Sequence, residues 1–218
     1  PAPGARPASR PGCEPDPIRS LVHLIAPPLC GVCGEPCGRA EPACQRCLDA
    51  LVSAPAILIA VPGVDRGWAA TAYEGTARKL VTSLKFAGRL ALAGVAARAI
   101  CAATGPGALG GALVPVPADP VRRRLRGFDP AEAIARALAL QTGLPLCGCL
   151  ERSHGRRQVG RSRSGRLAGP AVRAAFATPP AAVLVDDVVT TGATVSACAR
   201  TLRRAGSSRV LVAAFARA

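Results

Sequence analysis

The residue types best suited to chemistry lie in one stretch, residues 182–194, which reads AVLVDDVVTTGAT. Its four aliphatic residues predict a buried strand of a parallel sheet, and this strand is predicted to stop at two acids, Asp186 and Asp187. A Thr-Thr-Gly turn then leads into a helix that is predicted to begin at Thr194. Ligands of open α/β sheets bind beyond the carboxyl ends of the strands, so this turn is predicted to face a ligand.

The chemistry predicted for this turn is anion binding. Successive backbone N–H groups around Gly192 can form an anion nest, and the helix N-terminus adds positive potential. Threonine hydroxyls can donate to phosphate oxygens, while two adjacent carboxylates can accept hydrogen bonds from sugar hydroxyls and hold a metal ion indirectly. The alternative interpretation is an ordinary capped helix that follows a buried strand.

Cysteines form a second group of candidate functional residues. Cys30-x-x-Cys33 and Cys44-x-x-Cys47 are two knuckles that together could supply four thiolates to one tetrahedral zinc ion. Because no coordination position would stay open, the ion is predicted to be structural. Cys37 is interpreted as a bystander, with replacement of a knuckle member as the alternative. Reduced cysteines without any metal are the other interpretation of the segment.

Composition narrows the class of protein. The chain is 50% hydrophobic but only 3% aromatic, which suits an aliphatic α/β core and disfavours a stacking platform for single-stranded nucleic acid. The net charge of +15 favours anionic partners, unless it reflects a general enrichment in Ala and Arg. Clustered cysteines in a chain of this size indicate metal binding rather than disulfides, and therefore a cytoplasmic location. No segment is predicted to enter a membrane.

The hydrophobic pattern predicts the elements that position these residues. Residues 1–17 are predicted to be disordered, 18–54 to form a zinc-ribbon-like module, and 60–218 to form one larger α/β domain. A mobile basic loop is predicted at 151–173. The predicted strands are 68–73, 113–117, 182–185 and 210–215, and the predicted helices are 18–29, 48–53, 76–86, 90–101, 129–141 and 194–205.

The string at 182–194 resembles the phosphoribosyl pyrophosphate (PRPP) signature of type I phosphoribosyltransferases at all its positions. Three further strings resemble the ComF family, and the likeness covers about residues 28–217. They are Tyr73-x4-Arg78 with Leu84-Lys85-Phe86-x-Gly88, Val114-Pro115-Val116-Pro117 followed by Arg122 and Arg126-Gly127-Phe128-Asp129, and Leu150-x-Arg152 with Gln158 and Phe176. Asp129 replaces the family's usual Asn. The family's Arg-x-x-Asn string, which usually follows the Gln, is not matched at Arg166, because Leu167, Ala168 and Gly169 follow it.

The resemblance implies a type I phosphoribosyltransferase core, a twisted and mostly parallel sheet flanked by helices, with a small N-terminal zinc module of four cysteine ligands. Asp186 and Asp187 would meet the ribose hydroxyls, the turn after Pro117 would bind pyrophosphate, and residues 152–166 would form a lid. Mg²⁺ would accompany the pyrophosphate. The residues that would hold the 5′-phosphate are Thr190, Thr191, Gly192, Ala193 and Thr194.

The same resemblance implies three functions that the sequence leaves open. The first is transfer of a phosphoribosyl group to a nitrogen nucleophile, for which Lys85 and Arg126 are the candidate catalytic residues. The second is handling of single-stranded DNA, together with DNA-uptake proteins, in natural transformation. The third is a PRPP-sensing accessory protein without catalysis. Lys85 is equally interpreted as a charge at a helix end, and the arginines as a solvated basic face.

Overall fold

The structure, a computed structural model, describes residues 28–38, 41–152 and 171–218. The predicted disordered segment 1–17 and most of the helix predicted at 18–29 lie outside these residues. Most of the predicted basic loop and lid also lies outside them. Among the described residues, no helix has the length and apolar character needed to cross a membrane.

The described chain contains six helices and seven strands, numbered here in chain order. The helices are α1 (Gln45–Val52), α2 (Gly75–Phe86), α3 (Leu92–Thr104), α4 (Pro120–Arg126), α5 (Pro130–Thr142) and α6 (Ala193–Arg204). The strands are β1 (Ile57–Leu58), β2 (Arg66–Ala72), β3 (Ala112–Pro115), β4 (Leu150–Arg152), β5 (Val172–Ala174), β6 (Ala181–Val189) and β7 (Arg209–Arg217).

Five strands form a central sheet in the order β1-β2-β7-β6-β3. Strands β2, β7, β6 and β3 are parallel, and only the short edge strand β1 is antiparallel to its neighbour. Strands β4 and β5 form a separate antiparallel pair. The predicted class, a mostly parallel sheet flanked by helices, is confirmed.

Helices cover both faces of the sheet, and successive residues of β6 alternate between them. Val183 and Val185 are fully buried in the core that contains the apolar faces of α2, α3 and α5. Leu184 is fully buried in the opposite core, which contains the apolar face of α6. Each such aliphatic side chain contributes about 1.5–3 kcal/mol when removed from water. This alternation sends Asp186 and Asp187 toward opposite faces at the end of the strand.

The cysteine segment near the N-terminus packs on the helical layer formed by α2 and α3. Cys30, Leu48 and Leu51 are buried in the same core as these helices. Arg89, which follows α2, donates to the carbonyl oxygen of Cys30 across 3.4 Å. Arg98 of α3 is paired with Glu41 at 3.3 Å. The cysteine segment is therefore fixed to the helices that carry Lys85 and the residues around it.

Two predicted loops contain regular structure. After Pro117 the chain enters α4, because Oδ1 of Asp119 caps the N–H groups of Val121 and Arg122. The region predicted as a mobile loop begins and ends in β4 and β5, which pair with each other. The prediction of a loop throughout 151–173 was therefore wrong at both ends.

Strand β6 is longer than predicted. It continues through Asp186 and Asp187 to Val189, because β7 supplies ladder partners as far as Arg217. Its pairing with β3 ends earlier, at Val185. The two acids therefore lie inside the last part of a strand whose β3 side is open, rather than in a turn after the strand.

Candidate functional site

A cavity of about 340 Å³ lies across the carboxyl ends of β6 and β3. The loop between β3 and α4, the start of α5 and the end of α2 form its walls. It brings together several of the predicted residues from distant parts of the sequence. The polar side chains that line it belong to Tyr73, Lys85, Asp119, Arg122, Arg126, Asp129, Arg152, Asp186, Asp187, Thr190 and Thr194.

Lys85 forms an ion pair with the Oδ2 atom of Asp187. Both side chains are largely buried, with 21% of Lys85 and 11% of Asp187 exposed. Among the described residues, no group other than Lys85 donates to this Oδ2 atom, whereas Oδ1 accepts from the N–H of Val188 at 2.9 Å. Asp187 therefore keeps a buried oxygen that can still accept a hydrogen bond.

The carboxylates around the cavity oppose each other's ionisation. Burial raises the pKa of Asp186 well above its usual value, and the charge of Asp187 raises it further. Burial also raises the pKa of Asp129, although the N–H groups of Ala118 and Ala131 donate to it. Such a group of acids is stabilised by a ligand that brings hydrogen-bond donors or positive charge.

The turn between β6 and α6 has the backbone geometry of an anion nest. Gly192 adopts φ +76°, and a Cβ atom there would lie 2.3 Å from Cγ1 of Val61. The N-cap residue Gly192 has no side chain, and Oγ1 of Thr191 accepts from the N–H of Ala193 at 3.4 Å, while the N–H groups of Thr194 and Val195 have no intrahelical partner. A small cavity of about 40 Å³ lies directly over residues 188–195 and is also lined by Asp186. This cavity is suited to an anion held by backbone N–H groups.

The carbonyl groups of this turn are held on the side of β7. The guanidinium of Arg217 donates to the carbonyl oxygens of Val189 and Thr190, and the N–H of Ala218 donates to Val189 at 3.0 Å. Two carbonyl oxygens that would repel an anion are thereby bound elsewhere. Nothing in the local sequence pattern marked Arg217 for this role, because the contact joins two strands.

Asp129 is a site residue that the sequence marked only as the start of a predicted helix and as part of the Arg-Gly-Phe-Asp string. Its Oδ1 caps α5 through the N–H of Ala131 at 3.0 Å, as predicted, but its Oδ2 accepts from the N–H of Ala118 at 2.9 Å. Asp129 therefore holds the loop that was predicted to bind pyrophosphate. The only sequence signal for the contact of Asp129 with Ala118 was that the loop at 117–119 shortly precedes the Arg-Gly-Phe-Asp string.

The predicted candidate catalytic residues both line the cavity. Lys85 is engaged with Asp187, whereas the guanidinium of Arg126 lies 5.3 Å from the ring centre of Phe86. Arg152, the first residue of the predicted lid, also lines the cavity from β4. The rest of the predicted lid, residues 153–166, lies outside the described residues.

The sulfur atoms of Cys30, Cys33, Cys44 and Cys47 all lie within 4.8 Å of one another. Those of Cys33 and Cys44 are 3.7 Å apart. Four sulfur atoms around one tetrahedral zinc ion would be about 3.8 Å apart, given a Zn–S bond of about 2.3 Å. The four thiols that were predicted to act together therefore lie at distances that could hold a metal ion such as zinc.

Backbone N–H groups and burial shift the pKa values of these thiols in opposite directions. Burial raises the pKa of Cys30, but N–H groups of Cys33, Cys44 and Val32 outweigh it and lower this pKa to about 6. Cys44 occupies the N-cap of α1, and Cys47 lies in its first turn. The backbone donors stabilise the thiolate of Cys30, the form that binds metal, whereas burial and the neighbouring thiols raise the pKa of Cys47. Cys37 lies outside the group of four, with its sulfur 3.8 Å from the carbonyl oxygen of Glu41.

No protein-family model matches this chain, and no curated protein matches its sequence.

Proposed function

We propose that this chain is a ComF-like protein of the type I phosphoribosyltransferase fold and that it binds PRPP. The observation that supports the proposal most is the juxtaposition of two features. Two adjacent acids on β6, of which Asp187 is buried, line one cavity, and the N-terminus of α6 with its glycine turn lines a smaller cavity that shares Asp186. An activated sugar phosphate offers both complements, hydroxyl donors for the acids and a phosphate for the N–H groups.

Each group of the proposed ligand has a complementary group in the cavity. The ribose hydroxyls would donate to Asp186 and to the Oδ2 atom of Asp187, which also pairs with the ammonium of Lys85. The 5′-phosphate would accept from the N–H and hydroxyl groups of residues 190–194. The pyrophosphate would lie along the loop at 117–119, which Asp129 holds in place, and near Arg152.

The donor set also fits a magnesium ion held together with the ligand. Carboxylate oxygens are hard ligands that Mg²⁺ prefers, and the carboxylates of Asp186 and Asp187 both line the cavity. Asp186 and Asp187 would hold the ion through the ligand's hydroxyls or water. When bound, Mg²⁺ supplies positive charge that neutralises the leaving pyrophosphate.

We assign phosphoribosyl transfer to a nitrogen nucleophile as the reaction. Lys85 is a positioning residue in this proposal, because it fixes Asp187, which would hold the ribose beside the reacting carbon. Arg152 contributes positive charge where pyrophosphate develops negative charge. The zinc site is proposed to be structural, and the protein is proposed to act in the cytoplasm.

Calorimetric titration with PRPP tests the proposal directly. Wild-type protein is expected to bind PRPP only with Mg²⁺ present, and Asp186→Asn combined with Asp187→Asn is expected to abolish binding. The control is Asp49→Asn, which changes an exposed acid of α1 that is remote in sequence from the cavity. Wild-type protein that fails to bind PRPP, or a double variant that binds it normally, would contradict the proposal.

Single-stranded DNA handling is the second candidate function, and α4 is the observation that favours it. This helix carries four arginines in seven residues and buries none of its side chains. Binding through them would weaken steeply with salt, in proportion to the phosphates contacted. DNA binding that survives the Asp186→Asn, Asp187→Asn double change would indicate a separate site, and PRPP would then act as a sensed ligand. Partner proteins of DNA uptake belong to this second candidate.

A further inference from the structure

A second cavity of about 650 Å³ adjoins the proposed PRPP site. It shares three basic residues with the first cavity, so the two cavities are adjacent. Its side-chain walls are formed by Lys85, Phe86, Arg122, Leu125, Arg126 and Phe128.

The apolar part of this cavity offers an aromatic ring for stacking. Phe86 is 74% exposed and Leu125 is 83% exposed, although both are large hydrophobic residues. Arg126 lies over one face of Phe86, 5.3 Å from the ring centre, and the exposure of the side chain leaves the rest of the ring open to a ligand. A planar ring between Phe86 and Leu125 would cover apolar area that is otherwise in contact with water.

The charged part of the cavity selects an acid. Its lining contains three basic side chains and no carboxylate, and Lys85 shares its charge with Asp187 in the first cavity. Arg122 and Arg126 are spaced one turn apart on α4, so both can face one carboxylate. A neutral ring would satisfy the aromatic wall and leave these two guanidinium groups without a partner.

We infer that this second cavity binds a small planar aromatic acid, as the acceptor that the phosphoribosyl group is transferred to. The inference rests on the proposed function, since the cavity adjoins the site assigned to PRPP. In the transfer, a ring nitrogen gives its electron pair to C1 of the ribose, and the bond from C1 to the pyrophosphate oxygen breaks. That bond's electron pair leaves with pyrophosphate, and a ring nitrogen that carries a proton, as in orotate, loses it to solvent water.

Matched pairs of probes test the inference without turnover. Orotate and nicotinate are planar acids, and uracil and nicotinamide are their uncharged counterparts. Titrated into the full chain without PRPP, the acids are expected to bind at least about tenfold more tightly than the uncharged rings. Equal binding of acid and uncharged ring, or no binding of either acid, would overturn the inference.

Two variants locate the site on the molecule. Phe86→Ala is expected to weaken acid binding about tenfold and to leave PRPP binding within about twofold of wild type. Leu140→Ala is the control, because Leu140 is 90% exposed on α5 and lines neither cavity. An unchanged acid affinity in Phe86→Ala, or an oligothymidylate that displaces the acid and binds more tightly, would overturn the inference.

The outcomes separate this inference from the proposed function. Acid binding that depends on Phe86, in a protein that does not bind PRPP, would refute the proposed function and keep the binding site. PRPP binding without acid binding would refute the inference alone. With PRPP and Mg²⁺ present, the better-bound acid is expected to release pyrophosphate in wild-type protein, and binding without any release would refute its role as acceptor.

Discussion

At the scale of single residues, the site is built at a cost to the ligand-free protein. Asp186, Asp187 and Asp129 lie around one cavity, and burial with mutual repulsion raises the pKa of Asp186 and of Asp129. Functional sites commonly lower the stability of the ligand-free protein below what the fold would allow. The ammonium of Lys85, paired with Asp187, offsets one negative charge of these three acids.

Asp186→Asn is expected to stabilise the ligand-free protein at neutral pH. Because the folded-state pKa of Asp186 is raised, the folded protein binds the proton more tightly, and stability falls as pH rises from about 3.8 through that raised pKa. Asparagine removes this loss, so the free energy of unfolding should increase by roughly 1 kcal/mol or more at pH 7. Thermal unfolding measured against pH checks this, and the gain should disappear below pH of about 4.

A gain that stayed the same at all pH values would show that the charge of Asp186 is not its cause. Asp49→Asn serves as the control, since Asp49 is exposed on α1. This control should leave the pH profile of the wild type unchanged.

Lys85→Met is expected to destabilise the protein through the partner it leaves behind. Asp187 would keep a largely buried carboxylate without its ammonium, at a cost of about 1–3 kcal/mol. Adding Asp187→Asn should recover most of this loss. A double-mutant cycle from denaturant unfolding gives the coupling, and additive losses would contradict the ion pair.

At the scale of elements, ligand binding depends most on the backbone conformation of the turn from β6 into α6. Gly192 combines a positive φ with close contact to Val61, while Arg217 of β7 holds two carbonyl oxygens away from the proposed anion. Side chains of the turn contribute less than this backbone arrangement. Substitutions that shift the backbone should therefore remove ligand binding.

Gly192→Ala is expected to abolish PRPP binding and to lower the free energy of unfolding by about 1–3 kcal/mol. The new Cβ would clash with Val61 at 2.3 Å in addition to the strain of the positive φ. Gly127→Ala isolates the strain, because Gly127 has φ +79° and a Cβ atom there would meet no other atom within 4 Å. Calorimetry and denaturant unfolding of both variants compare the two effects, and equal losses would rule out the clash.

The cysteine segment gives the second prediction at this scale. Cys44→Ser is expected to remove the metal and to lower the melting temperature, because the segment contributes Leu48 and Leu51 to the core of α2 and α3. Cys37→Ser should keep one equivalent of zinc, since Cys37 lies outside the group of four. Elemental analysis measures the metal, and loss of zinc from Cys37→Ser would contradict this assignment.

At the scale of the whole molecule, patterns that depend on neighbouring residues were predictable. Aliphatic runs gave the strands of the sheet, Cys-x-x-Cys spacing gave the four grouped thiols, and Asp129 before Pro130 gave the start of α5. The same Asp-Pro signal at Asp119 and Pro120 was overlooked, so α4 was predicted as a loop.

Features set by distant partners could not be predicted in this way. The length of β6 is decided by β7, which continues to pair with it beyond the aliphatic run. The ion pair of Lys85 with Asp187 joins residues that are far apart in the chain, and so does the contact of Arg217 with Thr190. Such contacts depend on sheet order, which hydrophobic periodicity does not specify.

Backbone amide chemical shifts during a titration with PRPP and Mg²⁺ test the central claim most directly. The largest changes are expected on the N–H groups of residues 191–194, and they should saturate with PRPP binding. Changes confined to α4 or to the cysteine segment, with residues 191–194 unmoved, would contradict it.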